Sequence, residues 1–338
     1  MKFFINFIIL VKFFTVCFAS GDLGFLDPLQ TIDTFMGLRQ TNVGCHSTLY
    51  PHMNLALAVN CHPYNPNDVI GDKAFVCAAH PLVIKYNPEL VKDFLPEMRD
   101  ALYAGHVGND GSAIEWGREL GAQLADLGGY QGHGSWAVPQ GALISWALMM
   151  EGAIQINALG ERFHDETQGY SEAAVQVLAQ PHGLAWNIFD DTLLKFAQDF
   201  PDFSQAQSVG AVHSFQNMEE LSKFVACPVD RLAKTLEKVH AGVDTQTGRI
   251  FKRSLSFPLH AIRVTGALFH TQGGLDIDAG CRVLRTDGSV FPNLLAAGGA
   301  ARGVSGNAVW GYLSGNGLLS AIAGGYIAAH SAASGLRK

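Results

Sequence analysis

Residues 293–318 read NLLAAGGAARGVSGNAVWGYLSGNGL. Asn293 to Ala297 is an apolar strand signal, Gly298 to Gly317 carries seven glycines, and from Leu318 to about His330 the chain is apolar and helix-forming. Strand, glycine loop and helix in succession are how α/β folds present backbone amides to an anionic cofactor. The helix starting near Leu318 points its free N–H groups and positive dipole end back at Asn316 and Gly317. Gly315 and Gly317 suit a close backbone approach, since a Cβ would hold a ligand away.

Upstream, the chain reads as mixed α and β. Ala74 to Ala79 is an apolar strand and Pro88 to Leu95 a helix. Gly108-Asn109-Asp110-Gly111 leads into a predicted helix from Ser112 to Leu127, with Ile114, Gly117, Gly121 and Leu124 on one face and Asp110 at the N-cap. Gly128 to Pro139, rich in glycine and aromatic residues, reads as a loop. Ala153 to Asn157 alternates like a strand entering a turn at Ala158-Leu159-Gly160. Helices are expected at 172–179, stopped by Pro181, and around 193–200, 218–225 and 229–239, with a strand at 186–189. Gly21 to Asp72 carries no strong periodic signal.

The 338 residues include 23 Lys and Arg against 30 Asp and Glu, a formal charge of −7, which argues against electrostatic binding of nucleic acid. With 48% hydrophobic and 16% charged residues, the chain has apolar surface for one or two cores rather than a disordered state. Cys17, Cys45, Cys61, Cys77, Cys227 and Cys281 are scattered without a CxxC pair, and the histidines form no HxxxH or HExxH motif. Neither a disulfide framework nor a metal site is expected. Met1 to Ser20 has the shape of a secretory signal, although Lys12 interrupts its apolar run and Phe18 stands where a cleavage site wants a small residue. A real signal implies a secreted or periplasmic protein; otherwise the expectation is cytoplasmic, with membrane contact only through an uncleaved N-terminus.

Four segments, in order, carry a family resemblance. They are Gly108-Asn109-Asp110-Gly111 with the helix ending Leu120-Gly121-Ala122; Gly152 to Asn157 followed by Gly160-Glu161-Arg162-Phe163 and Glu166; His270-Thr271-Gln272-Gly273-Gly274-Leu275-Asp276-Ile277-Asp278; and Asp287-Gly288 through Leu294 to Gly298 and on to Ser314-Gly315-Asn316-Gly317. Together, over about residues 74 to 332, they resemble the FAD-dependent flavoproteins typified by soluble fumarate reductase and 3-ketosteroid Δ1-dehydrogenase. The resemblance implies an α/β protein: a partial Rossmann-like FAD-binding domain formed by two chain segments, 21–130 and 270–338, with an inserted α+β capping domain at 131–269. It implies FAD as cofactor, substrate held between cap and flavin, and hydride passing between flavin N5 and a substrate carbon while protein groups move the companion proton.

On that resemblance Gly315, Asn316, Gly317 and Leu318 meet the flavin, Asp110 lies near it, and Gly298 and Gly299 approach it. Gly299 stands where the family commonly places an acidic residue for the ribityl chain, so that contact is missing. His270 matches the family's substrate-side histidine in a His-Thr-x-Gly-Gly segment that includes Gly274, and His133 resembles a second histidine at the cap entrance. Arg302 is a candidate for an anionic substrate or a cofactor phosphate. Eight residues after Arg162, where fumarate reductases carry a proton-donating arginine, stands Tyr170, and Trp146 and Met149 fall near the positions of the relay that feeds it. A tyrosine there is similar to ketosteroid dehydrogenases, in which it takes a proton from the carbon next to a ketone. Tyr312 resembles the other half of that machinery, polarising the ketone oxygen together with a glycine N–H, at a spacing that differs by about one residue.

No G-x-G-x-x-G turn with an acidic residue ~20 positions on occurs in Met1 to Asp72. The chain therefore resembles the C-terminal three quarters of such a flavoenzyme, with the pyrophosphate-binding half absent or replaced. Three readings follow. The first is a dehydrogenase or ene-reductase for a small molecule with a carbonyl, its electron partner unspecified. The second is a truncated, non-catalytic remnant or binding module, and the third a fumarate-type dicarboxylate reductase with another proton donor.

Overall fold

The computed structural model describes residues 56–58, 75–79, 88–105 and 111–336. The signal-like segment 1–20 and Asp110 lie outside the described residues. In chain order the elements begin β1 (Ala56–Ala58), β2 (Phe75–Ala79), α1 (Pro88–Phe94), β3 (Leu102–Tyr103), α2 (Ser112–Leu120), β4 (Leu124–Ala125), β5 (Tyr130–Ala137) and β6 (Ala142–Leu143). They continue with α3 (Ala147–Met150), β7 (Ile154–Ile156), α4 (Tyr170–Leu178), β8 (Leu184–Asp190), α5 (Asp191–Ala197), α6 (Pro201–Ser208), β9 (His213–Phe215), α7 (Met218–Val225) and α8 (Val229–His240). The last are β10 (Leu259–Thr271), β11 (Gly274–Leu275), β12 (Arg282–Leu284), β13 (Val290–Gly298) and α9 (Asn316–Leu336). Among the described residues no helix is long and apolar enough to cross a membrane.

The chain divides into two compact units, one of Met1–Leu90, His106–Tyr130 and His270–Lys338, the other of Val91–Gly105 and Gln131–Phe269. The first unit holds a four-stranded sheet in the order β1-β2-β13-β12. β2 runs parallel to β13, Phe75 opposite Leu294 and Ala79 opposite Gly298. Leu294 to Ala297 are buried, as the unbroken apolar run of a strand covered on both faces requires. Small residues let α9 lie close to this strand: Ala297, Ala328 and Ala332 share a core, and a Cβ on Gly324 would sit 3.4 Å from that of Ala297.

In the second unit β10, thirteen residues long, is the central strand of the order β6-β5-β10-β8-β7, with β3 and β9 pairing along its flank. The β8–β10 register is antiparallel from Leu259 opposite Asp190 to Thr265 opposite Leu184. Ile154, Ile156, Ile188, Phe189, Ile262 and Val264 belong to one continuous apolar core.

Three expectations are corrected. The helix predicted to run to Leu127 stops at Leu120, because Gly121 takes φ +74° and the Ala122 N–H closes back on the Gly117 carbonyl at 2.7 Å. Its N-cap position is Gly111, φ +82°, rather than Asp110. The stretch read as a loop at 128–139 contains the eight-residue strand β5. Its glycines are packing residues: a Cβ at Gly132 would come within 2.8 Å of the Ala174 Cβ, and one at Gly134 within 2.7 Å of the Ala173 carbonyl carbon. On β10, a Cβ at Gly266 would meet the Ala174 oxygen at 2.6 Å. The three glycines make a floor without side chains on which α4 rests, and α4 begins with Tyr170.

Gly134→Val is expected to lift α4 from this floor and to destabilise the protein by about 1–3 kcal/mol, the range of overpacking changes. Urea unfolding measures it, and an unchanged midpoint would show that the helix has room to spare.

Candidate functional site

In the second unit β5 carries His133 and the first turn of α4 carries Tyr170, and the two rings stack with centroids 5.0 Å apart at 25°. Trp146 meets His133 edge-on at 5.8 Å and Phe269 lies at 5.9 Å. The imidazole is buried, and burial pushes its pKa down to about 3. The Ser135 N–H donates to Nδ1 at 3.1 Å, so the neutral ring carries its proton on Nε2. The group is thus an uncharged hydrogen-bond donor inside an aromatic box.

Beneath the box lies a buried charge cluster. Glu166 accepts from the Gln155 backbone N–H at 2.8 Å and Arg162 Nε at 2.9 Å, and Arg249 Nη1 stands at 2.8 Å. Arg162 Nη1 also reaches Asp244 at 2.6 Å. Burial alone would raise the Glu166 pKa, but the hydrogen bonds from Arg162 and the charges of Arg249 and Arg162 outweigh it and hold the carboxyl at about 2. The two arginines are thereby committed. The Trp146 indole N–H donates to the Glu166 carbonyl at 3.1 Å, which ties the box to the cluster.

In the first unit His270, half-buried, stands 6.1 Å from the Tyr312 ring. A Cβ on Gly317 would approach His270 Cε1 to 3.6 Å, so the imidazole edge lies at the start of α9. His270 Nδ1 stands 2.8 Å from the Gln272 amide nitrogen and 3.1 Å from the Thr271 carbonyl, Ser305 Oγ donates to Gln272 Oε1 at 3.3 Å, and Asn316 Nδ2 donates to Ser305 Oγ. Burial lowers the His270 pKa, which favours the neutral donor form here too. Gln272 is a site residue that sequence reading did not single out; its polar side chain between Thr271 and Gly273 was the available signal.

The remaining expected residues fall as follows. Arg302 is held by two carboxylates, Asp126 at 2.8 Å and Asp276 at 3.1 Å. Gly274 is explained by backbone crossing, since a Cβ there would lie 2.5 Å from the Ala300 oxygen. Gly298, φ +60°, turns the chain out of β13 ahead of Gly299. Gly315, φ +85°, has open space where a Cβ would stand, and Leu318 is exposed in the first turn of α9.

The residues fit the ring end of a flavin. Thr271 Oγ1 and Asn316 Oδ1 are buried polar atoms without a hydrogen-bond partner among the described residues, and the first amides of α9 have no acceptor within the helix. An edge with mixed donors and acceptors matches a flavin pyrimidine edge, and the helix N-terminus favours negative charge.

Comparison with known proteins agrees. The family described as FAD binding domain matches residues 65–318, and the chain belongs to this family of flavoproteins. It is similar to a probable fumarate reductase of Shewanella frigidimarina, 29% identical over 253 residues that cover 73% of this chain and 42% of the relative. A 3-oxosteroid 1-dehydrogenase of Mycolicibacterium smegmatis is 26% identical over 270 residues, covering 67% and 46%. The open conformation of a flavocytochrome c3 fumarate reductase has a TM-score of 0.64 at 27% identity, covering 79% of this chain and 47% of that one. The chain spans less than half the length of these two curated relatives.

The buried groups set a pH dependence. An unfolded histidine titrates near 6.5, whereas His133 resists protonation to about 3 and His164, desolvated and set among Glu166, Arg162 and Arg249, to about 4. Between those values the unfolded chain binds more protons than the folded one, so stability is lost as pH falls. Glu166 adds a loss of the same sign from about 4.5 down to about 2. Urea unfolding free energies are expected to drop by several kcal/mol between pH 6.5 and 4, and His133→Gln should remove part of that slope. A flat profile from pH 7 to 5 would contradict the buried neutral histidines.

Proposed function

We propose that the protein is an FAD-dependent oxidoreductase acting on a carbon–carbon bond beside a carbonyl, as the 3-oxosteroid 1-dehydrogenases to which it is similar are named for. The observation that carries this reading is the uncharged aromatic box of His133, Tyr170, Trp146 and Phe269, with the neighbouring Arg162 and Arg249 tied to carboxylates. A planar apolar carbonyl compound suits aromatic faces and one neutral donor. A dicarboxylate needs free cations.

When bound, FAD supplies the hydride acceptor or donor. Gly315, Asn316, Gly317 and Leu318 would hold its ring end, with Gly298 and Gly299 nearby. In the second unit Tyr170 is assigned the proton on the carbon next to the carbonyl and His133 a hydrogen bond to substrate oxygen. The aromatic neighbours of His133 keep that buried imidazole from water.

Fumarate-type reduction is the second reading, favoured by the 29% identity to a probable fumarate reductase. It requires Arg302 to leave Asp126 and Asp276, or another cation to serve.

Absorption spectra of the full chain with and without added FAD come first, followed by assays with a 3-ketosteroid and with fumarate. Flavin bands that survive desalting, steroid turnover, and a loss of about 10²-fold or more in folded Tyr170→Phe are expected. A folded protein that stays colourless with excess FAD would make it a non-catalytic member, and fumarate turnover alone would favour the second reading.

A further inference from the structure

The second unit contains a chain of buried amides that ends on His133. We infer that Gln155 and Asn187 are positioning residues, acting through the peptide unit between Gly134 and Ser135 to lock the His133 imidazole in its Nε2–H tautomer against Tyr170. The inference rests on the reading of His133 as a group that meets substrate.

The connections are direct. Gln155 Nε2 donates to the Gly134 carbonyl at 2.8 Å, and the N–H of that same peptide unit, on Ser135, donates to His133 Nδ1 at 3.1 Å. One rigid plane therefore receives a hydrogen bond at its oxygen and gives one to the imidazole from its nitrogen. Accepting at the oxygen polarises the peptide and strengthens its N–H as a donor. Asn187 braces both ends: its Oδ1 accepts from Gln155 Nε2 at 2.9 Å, and its Nδ2 donates to Ser135 Oγ. His164 Nε2 closes the chain on Gln155 Oε1 at 2.8 Å.

Strand pairing and packing account for the geometry. Gln155 on β7 lies directly opposite Asn187 on β8, so their side chains share one face. At Gly134 the absence of a Cβ lets α4 settle on β5, which brings Tyr170 to its ring-stacking distance from His133. Ser135, Gln155 and Asn187 are each wholly buried. Apolar residues would be the ordinary occupants of such positions, and each amide left unpaired there would be strongly unfavourable. A carboxamide does not readily gain or lose a proton, so the chain fixes orientation and does not relay protons. Merely knitting strands together would leave the choice between the two imidazole nitrogens open; the peptide N–H at Nδ1 makes it.

The test is nitrogen NMR of the histidine rings in the full chain, with His133 assigned by its absence in His133→Gln. Wild type should show His133 with a protonated Nε2, a bare Nδ1 and a coupling across the Ser135 N–H bond. A protonated Nδ1 in wild type overturns the proposal whether or not a variant at Gln155 and Asn187 folds. Gln155→Leu with Asn187→Leu removes both amides together, so neither is left facing a missing partner, while His164 Nε2 and Ser135 Oγ each lose one. In the folded double variant His133 should populate both tautomers and lose the coupling; an unchanged ring spectrum overturns the proposal. In flavin-loaded protein the same variant should raise KM for the carbonyl substrate about five- to tenfold with kcat little altered. Mixed tautomers with unchanged KM would uphold the positioning and reject the reading of His133 as a substrate-side group.

Discussion

Burying one carboxylate, Glu166, constrains the second unit more than any other single requirement. A charge taken out of water has to be met by charges and donors fixed in place. Arg162 and Arg249 meet it, along with the backbone N–H of Gln155 on β7. Arg162 is then completed by Asp244, and Arg249 donates to the carbonyls of Ala153 and Met149. Segments far apart in the chain are thus bound to one point, and Trp146 is bonded to the Glu166 carbonyl above it. The aromatic box stands on this base, and the arginines beside it are spent on structure.

The first unit solves a different problem, that of bringing a helix terminus and a histidine edge together. Alanines and glycines let α9 approach β13, and Gly317 leaves room for His270. The Gln272–Ser305–Asn316 chain fixes the imidazole from the side of the glycine-rich segment. What is left over is informative: buried oxygens on Thr271 and Asn316 with no partner among the described residues, in a family that binds FAD. Such atoms are costly unless a ligand or water meets them.

Membership of the family leaves the substrate open, because its relatives include proteins named for fumarate and for 3-oxosteroids, at 29% and 26% identity. Local electrostatics are what favour the carbonyl compound proposed as substrate. Each arginine near the box, and Arg302 in the first unit, already faces a carboxylate. On the function proposed, a neutral carbonyl compound asks only for donors of the kind His133 offers, whereas an anionic one would compete for these paired arginines.

Much of this was legible in the sequence. Periodicity located β13, α7 and α8, because the side chains that define a strand or a helix face recur at fixed intervals. The ordered motifs around Asp110, Arg162, His270 and Gly315 marked the family and its cofactor. What pattern could not show was why Gly132 and Gly134 are glycines: a loop and a strand pressed by a helix use the same residue, and only the position of α4 distinguishes them. Nor could the sequence reveal that Arg302 is paired with Asp126, 176 residues away, or that Gln155 reaches the peptide behind His133. The sequence by itself determined the family, the cofactor and the class of elements, which depend on local spacing. Tertiary structure decided which charges are free and which tautomer a histidine holds, because those depend on neighbours brought together from distant parts of the chain.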